Sequence, residues 1–396
     1  MLDVQVRKGD SLWYYAGLFN LPLPLLMDSN PGLAPEALQI GQTIKIPGWR
    51  TSTYTIAQGD TLWKLAGEHR LSLDALFLLN PDADPEALQI GGSLLIPARV
   101  SIRIVNGNRP YTSAVLSEDL RALFDLYPFI QRSGIGQSVM GKELQELRIG
   151  RGNEYVHWNG SFHANEWITT GVIMQFLNDY LLALTNKEPI RGMDVQPFYN
   201  RITLSIVPMV DPDGVDLVLN GPPEGEFGEA ALAINEGSRD FSGWKANIRG
   251  VDLNNQFPAK WEVEAERKPE EPAFRDFPGY QPLSEPEAVA MAELARQRKF
   301  SKMLAFHTQG EVIYWGYEGL EPPRSMSIVK EFSRVSGYEP IRFVDSYAGY
   351  KDWFIQDFRQ PGFTVELGQG VNPLPLEQFD EIYQETIGIF LASLYM

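Results

Sequence analysis

Cysteine is absent from this 396-residue chain, which removes disulfides, thiolate metal sites and a cysteine nucleophile together. Histidine is scarce. His69, His157, His163 and His307 are the only four, so any imidazole chemistry must draw on them. Basic residues are outnumbered, 34 Lys and Arg against 51 Asp and Glu, for a net charge of −17. Binding a phosphate backbone needs concentrated positive charge, so nucleic acid is a disfavoured partner. No apolar run approaches the ~18 residues of a membrane span, and no membrane insertion is expected. The first residues, Met1 to Lys8, lack the apolar stretch of a signal peptide, which leads to the expectation of a protein not exported by the standard route. With 44% hydrophobic and 21% charged residues the chain reads as globular, and its length calls for two or three domains.

What the chain does have, first of all, is a repeat. Gly9-Asp10-Ser11-Leu12-Trp13 returns as Gly59-Asp60-Thr61-Leu62-Trp63, Asn30-Pro31 as Asn80-Pro81, and Ile46-Pro47 as Ile96-Pro97, always 50 positions on. Each copy reads as a short strand, two short helices and a closing strand. Asp and Ser/Thr after the first strand are helix N-cap types, and the residue before each Pro disfavours continued helix. Trp13 and Trp63 are expected in the cores of their modules, and His69, in Glu68-His69-Arg70, on the surface. Both copies resemble the LysM domain from end to end. That resemblance implies binding to N-acetylglucosamine-containing glycans, through Gly9, Asp10, Ser11, Leu12 and Asn30 in one copy and Gly59, Asp60, Thr61, Leu62 and Asn80 in the other. For Asp10, Ser11 and Thr61, helix capping is the equal alternative. The expected domains are 1–49, 50–99 and 100–396.

Beyond residue 100 the pattern changes. Ser101 to Val105 reads as a strand, Ser117 to Tyr127 as an amphipathic helix capped by Ser117, and Trp167 to Leu184 as a long helix. Leu147 to Gly150, Glu154 to Trp158 and Arg201 to Pro208 read as strands. Strands alternating with helices indicate an α/β body with a mostly parallel or mixed sheet.

The chemistry lies in that body. His163-Ala-Asn-Glu166 follows a strand and opens a helix, so an imidazole and a carboxylate three residues apart can aim at one point. His307 ends the apolar strand Met303 to Phe306, and the carboxyl end of a strand is where α/β sheets place function. Glu366 is a charge inside the apolar strand Phe363 to Leu367, costly to bury unless it is used. Two His and a Glu are a ligand set that leaves zinc an open position, and a second carboxylate can then act on the attacking water. His157, on a preceding strand, reads as a satisfied core histidine.

From about residue 105 to 396 the chain resembles the zinc carboxypeptidase family. The motifs fall in the family's order: His163-x-x-Glu166, Pro212-Asp213-Gly214, Gly250-Val251-Asp252-Leu253-Asn254, His307, Glu366. The resemblance implies a mixed sheet flanked by helices and one zinc ion held by His163, Glu166 and His307. It makes Glu366 the general base and then acid, and Asp252 the carboxylate that orients a zinc imidazole. Tyr347 matches the family's mobile tyrosine, with Tyr350 as a substitute. Lys245 falls where an oxyanion-stabilising Arg usually stands, with Arg249 as the fallback.

The departures point to the substrate. Asn255 replaces the Arg that clamps a terminal carboxylate in true carboxypeptidases, so a free C-terminus there is not required. Lys351 falls at the base of the specificity pocket, either solvated or reading a carboxylate after the cleaved bond. Asn254-Asn255-Gln256-Phe257 and His307-Thr308-Gln309-Gly310-Glu311, with the paired LysM modules, resemble the γ-D-glutamyl-L-diamino acid endopeptidases. This implies substrate contacts at Asn254, Asn255, Gln309 and Lys351, and cleavage between γ-D-glutamate and diaminopimelate in peptidoglycan stem peptides. A zinc carboxypeptidase or amidase of other specificity, or an inactive glycan-binding scaffold, are the alternatives. A bacterial cytoplasm, or association with sporulation or the cell wall, is the expected location.

Overall fold

A computed structural model describes residues 1–33 and 38–396. The chain forms two compact units. One holds Met1–Ile104, Asp119–Gln131 and Asn178–Gln196, the other Val105–Glu118, Arg132–Leu177 and Pro197–Met396. No helix among the described residues is long and apolar enough to cross a membrane.

In the first unit the repeat becomes two βααβ modules. The first runs β1 (Leu2–Gln5), α1 (Leu12–Leu18), α2 (Leu23–Asp28), β2 (Thr43–Ile46), and the second β3 (Trp49–Thr55), α3 (Leu62–Glu68), α4 (Leu73–Leu79), β4 (Ser93–Arg99). The strands of each module pair antiparallel in equivalent register, Leu2 opposite Ile46 and Ser52 opposite Ile96. Ser11 and Thr61 cap the first helices, accepting from the backbone N–H of Tyr14 and Lys64 at 3.1 Å. Asp10 and Asp60 instead close the turn before the cap, accepting the N–H of Arg7 and Ala57 and the hydroxyls of Tyr15 and Tyr54.

Trp13 and Trp63 are not core residues: they are 77% and 79% exposed. The core face of each two-turn helix is taken by residues at i, i+3 and i+4, namely Leu12, Tyr15 and Ala16, then Leu62, Leu65 and Ala66. The residue after Leu12 or Leu62 lies off that stripe. The modules also share a core, because Ala75 and Leu78 of α4 pack into the first module's apolar cluster. Arg7 grips Asp74 with both terminal nitrogens, at 2.9 and 2.6 Å. Leu78 stands where the first copy has Asp28, so the repeat diverges where the modules meet. A shared core helps modules this small, which bury little surface alone.

Ser101–Val105 forms no strand. β4 ends the module at Arg99, Ile102 is exposed, and the Ile104 N–H donates to the Asn178 side chain instead of a ladder. The next helix spans Ser113–Leu126, starting earlier than Ser117. Thr112 accepts the N–H of Val115 at its start, and Ser117 bonds back to the Ser113 carbonyl inside the helix.

The second unit is built on an eight-stranded mixed sheet. Its strands are β5 (Gln131–Gln137), β6 (Glu143–Gly150), β7 (Glu154–Asn159), β8 (Ile202–Val207), β9 (Lys302–Thr308), β10 (Val312–Tyr314), β11 (Glu339–Ile341) and β12 (Gly362–Leu367), in spatial order 11-10-12-9-7-8-6-5. β7, β8, β9 and β12 run parallel, while β6 and β10 are antiparallel to their inner neighbours. β8 and β9 are buried along their whole length, as expected of central strands covered on both faces. Residues 168–177 of a longer helix and the helices Pro286–Arg298 and Phe379–Tyr395 flank the sheet and bury mostly aliphatic and aromatic side chains. The carboxyl ends of β7, β9 and β12 therefore lie side by side, and the β9–β12 register sets Glu366 opposite His307.

Candidate metal centre and cleft

Each site residue is placed by a local device. After β7 the chain turns through Ser161, whose N–H donates to Thr169 Oγ1, and Thr169 in turn donates to the Glu166 carbonyl. This knots the short 3-10 turn Ala164–Glu166 that carries His163 and Glu166. His307 is delivered by β9 from the other side. The result is a buried cluster of His163, Glu166 and His307, with ligand atoms all within 4.8 Å of one another. Among the described residues it is the one such group able to hold a metal ion.

The donor set fits zinc. Nδ1 of His163 and Nδ1 of His307 lie 3.2 Å apart, and Glu166 places Oε1 2.9 Å from the first and Oε2 2.9 Å from the second. Two ring nitrogens this close repel unless a proton or cation lies between them. Ligands about 2.0–2.1 Å from a tetrahedral zinc are separated by about 3.3–3.4 Å, near the spacing seen. His163 turns its Nε2 to Asp252 Oδ1 at 3.1 Å, the outer carboxylate that orients a metal-binding imidazole. Asp252 also receives Lys245 Nζ at 2.9 Å and the Asn254 N–H at 3.0 Å.

The electrostatics follow from burial and pairing. Burial opposes a charged His163, yet Glu166 and Asp252 outweigh it and raise the imidazole to about 9. Burial also disfavours the Glu166 and Asp252 carboxylates, but the facing cations hold both below the ordinary range. At Glu366 the attraction of His163 and Lys245 is outweighed. Desolvation, then repulsion from Glu166, pushes its carboxyl up to about 8.

A cleft of about 240 Å³ opens above this cluster, lined by His163, Lys245, Asn254, Asn255, Lys268, Tyr314, Val344, Ser346, Gly349, Lys351, Asp352, Thr364 and Glu366. It brings together Lys245, Asn254, Asn255, Lys351 and Glu366 beside the metal cluster. Lys245 reaches it between Asp252 and Asp276, and Lys351 donates to the Gly316 carbonyl at 2.9 Å and to Asp352.

Other expected site residues lie elsewhere. Arg249 is half-exposed, 3.5 Å from Glu285 and outside the cleft lining, so of these two candidates only Lys245 lies in the cleft. Tyr347 lines a neighbouring cavity of about 550 Å³ with Tyr317 and Phe343. Its ring is held there by Lys260 at 4.8 Å and Arg267 at 5.2 Å, and its N–H by Glu264. Tyr350 is fully buried against His157 and Phe257 and is no substitute. Gln309 is exposed and does not line the cleft. His157 is buried, bonded to Ser205 and stacked on Phe300, away from the metal cluster.

Sequence reasoning missed Lys268, Tyr314, Ser346, Asp352 and Thr364 as cleft residues. Thr364 was recoverable, since it lies two before Glu366 on one strand and so shares its face; Tyr314 is its cross-strand partner. Lys268 carried no signal, lying in the charge-rich run Glu262–Glu271 that reads as solvated surface.

In the modules, Asn30 and Asn80 are pins between the second helix and the last strand. Each donates to two carbonyls (Leu26 and Lys45; Leu76 and Leu95) and accepts the N–H of Lys45 or Leu95. With the side chains of Asp10, Ser11, Asp60 and Thr61 also bonded internally, the most exposed large apolar groups among the described residues of each module are one Trp and one Ile: Trp13 and Ile40, Trp63 and Ile90.

This fold and site define a zinc-dependent hydrolase whose metal ligands lie at the carboxyl edge of an α/β sheet. Residues 116–388 match the zinc carboxypeptidase family, and residues 4–47 and 54–97 each match the LysM domain. The chain belongs to the zinc carboxypeptidase family and is a metallopeptidase with one zinc ion and two N-terminal LysM domains. It is 63% identical to gamma-D-glutamyl-L-diamino acid endopeptidase 1 of Lysinibacillus sphaericus, covering 100% of both chains. It is 47% identical to the uncharacterized protein YqgT of Bacillus subtilis (strain 168), over 72% of this chain and 77% of that protein. Among solved structures, bovine thrombin-activatable fibrinolysis inhibitor superposes with a TM-score of 0.58 at 17% identity, covering 73% of this chain and 97% of that one. Carboxypeptidase A from Helicoverpa armigera superposes at 0.55, also at 17% identity, covering 84% and 79%. At that identity the likeness concerns the fold.

Proposed function

We propose that this protein hydrolyses the bond between γ-D-glutamate and the L-centre of a diamino acid, meso-diaminopimelate, in peptidoglycan stem peptides. The full-length identity to a gamma-D-glutamyl-L-diamino acid endopeptidase carries this reading. A cleft with three lysines in a chain of net charge −17 supports it, because such stem peptides bear several carboxylates. The LysM domains support a wall target; they bind N-acetylglucosamine-containing glycan, with Trp13 and Trp63 offering aromatic faces to sugar rings. Work on wall fragments inside a bacterium, or on the wall during sporulation or lysis, suits a chain with these domains.

His163, Glu166 and His307 would hold the zinc, which when bound supplies Lewis acidity to the cleft floor. Glu366 takes the proton of the attacking water and delivers it to the leaving amine nitrogen; a raised carboxyl pKa suits a group that must do both. Lys245, fixed by Asp252 and Asp276, places a point charge where the scissile carbonyl oxygen becomes anionic. Asp252 keeps His163 oriented. Lys351 offers its ammonium to a carboxylate of the diamino acid, and Asn255 leaves no guanidinium to demand a free C-terminus.

Mass spectrometry of L-Ala-γ-D-Glu-diaminopimelate digests tests the reading. The wild type should release L-Ala-D-Glu and free diaminopimelate, and Glu366→Gln should not. Trimming of ordinary peptides from a free C-terminus, with the γ-bond left intact, would overturn it.

A further inference from the structure

The three lysines of the cleft differ in how far their donors are committed. An ammonium carries three donors. Lys245 directs two of them to Asp252 and Asp276, at 2.9 and 3.2 Å. Lys351 directs two to the Gly316 carbonyl and Asp352. Lys268 has a single ion-pair neighbour, Glu264 Oε1 at 3.4 Å. Glu264 is itself well supplied, since it also receives Arg267, the Tyr347 N–H at 3.1 Å and the Ser346 hydroxyl at 3.4 Å. Lys268 thus stands in the cleft wall beside Val344 and Ser346, its side chain 24% exposed, with donors left over.

The substrate chemistry offers a match. A glutamyl residue linked through its side-chain carbonyl keeps its α-carboxylate free, an anion on the acyl side of the cleaved bond that an ordinary peptide carries there only when that residue is itself an α-linked glutamate. Lys245 serves the reacting carbonyl and Lys351 the diamino acid. We infer that Lys268 binds the free α-carboxylate of the γ-linked D-glutamyl residue, making it a residue that favours γ-linked glutamate over an acyl residue without that anion. This rests on the function proposed above.

The test uses the full-length zinc-loaded protein and three peptides: L-Ala-γ-D-Glu-diaminopimelate, the same with the glutamyl α-carboxylate converted to its amide, and the same with the diaminopimelate side-chain carboxylate converted to its amide. A charge-assisted hydrogen bond of the usual strength corresponds to about a tenfold to hundredfold effect. Wild type should lose that factor in kcat/KM on the glutamyl amide, chiefly through KM. Lys268→Met should lose the same factor on the parent peptide, show no further loss on the glutamyl amide, and keep its full zinc content. Lys268→Arg should restore the preference for the carboxylate. Equal losses by Lys268→Met on the parent and the glutamyl amide would overturn the inference. So would a change in preference confined to the diaminopimelate amide, which would assign Lys268 to the other side of the bond. If wild type cleaves none of the three peptides, the function itself is wrong and this inference falls with it. Cleavage by wild type with an unchanged preference in Lys268→Met defeats the inference alone.

Discussion

Glu287 offers a test of the electrostatics that is independent of catalysis. It lies in the first turn of the helix Pro286–Arg298 and is completely buried. One carboxylate oxygen accepts the Val139 N–H at 2.9 Å, and the other has no hydrogen-bond partner. Burial first, then the nearby Glu285 and Asp213, push its pKa from the ordinary 4.5 to about 7. A carboxyl whose folded pKa is raised stays protonated while the unfolded chain ionises. Its contribution to stability is therefore fully present below about pH 4.5 and lost as pH rises through about 7. The difference corresponds to about 3 kcal/mol. Glu287→Gln keeps the acceptor for Val139 and removes the charge. Urea unfolding from pH 4.5 to 8.5 should find the variant close to wild type at the acid end and more stable by about 2–3 kcal/mol at the alkaline end. A difference that does not vary with pH, or a variant less stable at pH 8.5, would refute the assignment of the penalty to this carboxyl.

Three further outcomes are expected. Asp252→Asn should weaken zinc binding by about 10- to 100-fold in a chelator competition, because the partner of His163 Nε2 and of Lys245 is altered together. Asn30→Ala should destabilise the first module by about 2–4 kcal/mol, since three hydrogen bonds, one to Leu26 of α2 and two to Lys45 of β2, are lost at once; thermal unfolding of the variant measures it. Lys351→Met should raise KM for diaminopimelate peptides about tenfold or more while leaving peptides amidated at that residue little changed.

What could be read from the sequence shares one property: it depends on local spacing. Ser11 and Thr61 announce helix starts because a cap acts over three residues. β8, β9 and β12 are largely apolar runs whose burial is written in their composition, and His307 and Glu366 stand out at or near the ends of such runs. The misreadings have the same origin. Residue type alone points Trp13 and Trp63 to the core, although a seven-residue helix has room for one apolar stripe and Leu12, Tyr15 and Ala16 fill it. Ser117 looks like a cap because it precedes an apolar pattern, yet Thr112 caps the helix a turn earlier.

The sequence by itself determined the two 50-residue modules, the α/β alternation behind them and the short roster of histidines and carboxylates from which a metal site had to come. Only the tertiary structure decided which of these meet. The parallel pairing of β9 with β12 sets Glu366 beside His307, and the turn after β7 brings His163 and Glu166 to the same point. The structure also placed Lys245 but not Arg249 in the cleft, turned Tyr347 toward a second cavity and drew Lys268 from a charged stretch into the cleft wall. The reason is physical. Spacing along a chain governs helices, caps and strand faces within a few residues, whereas contacts between segments a hundred residues apart depend on sheet order, register and loop path, which no local pattern encodes.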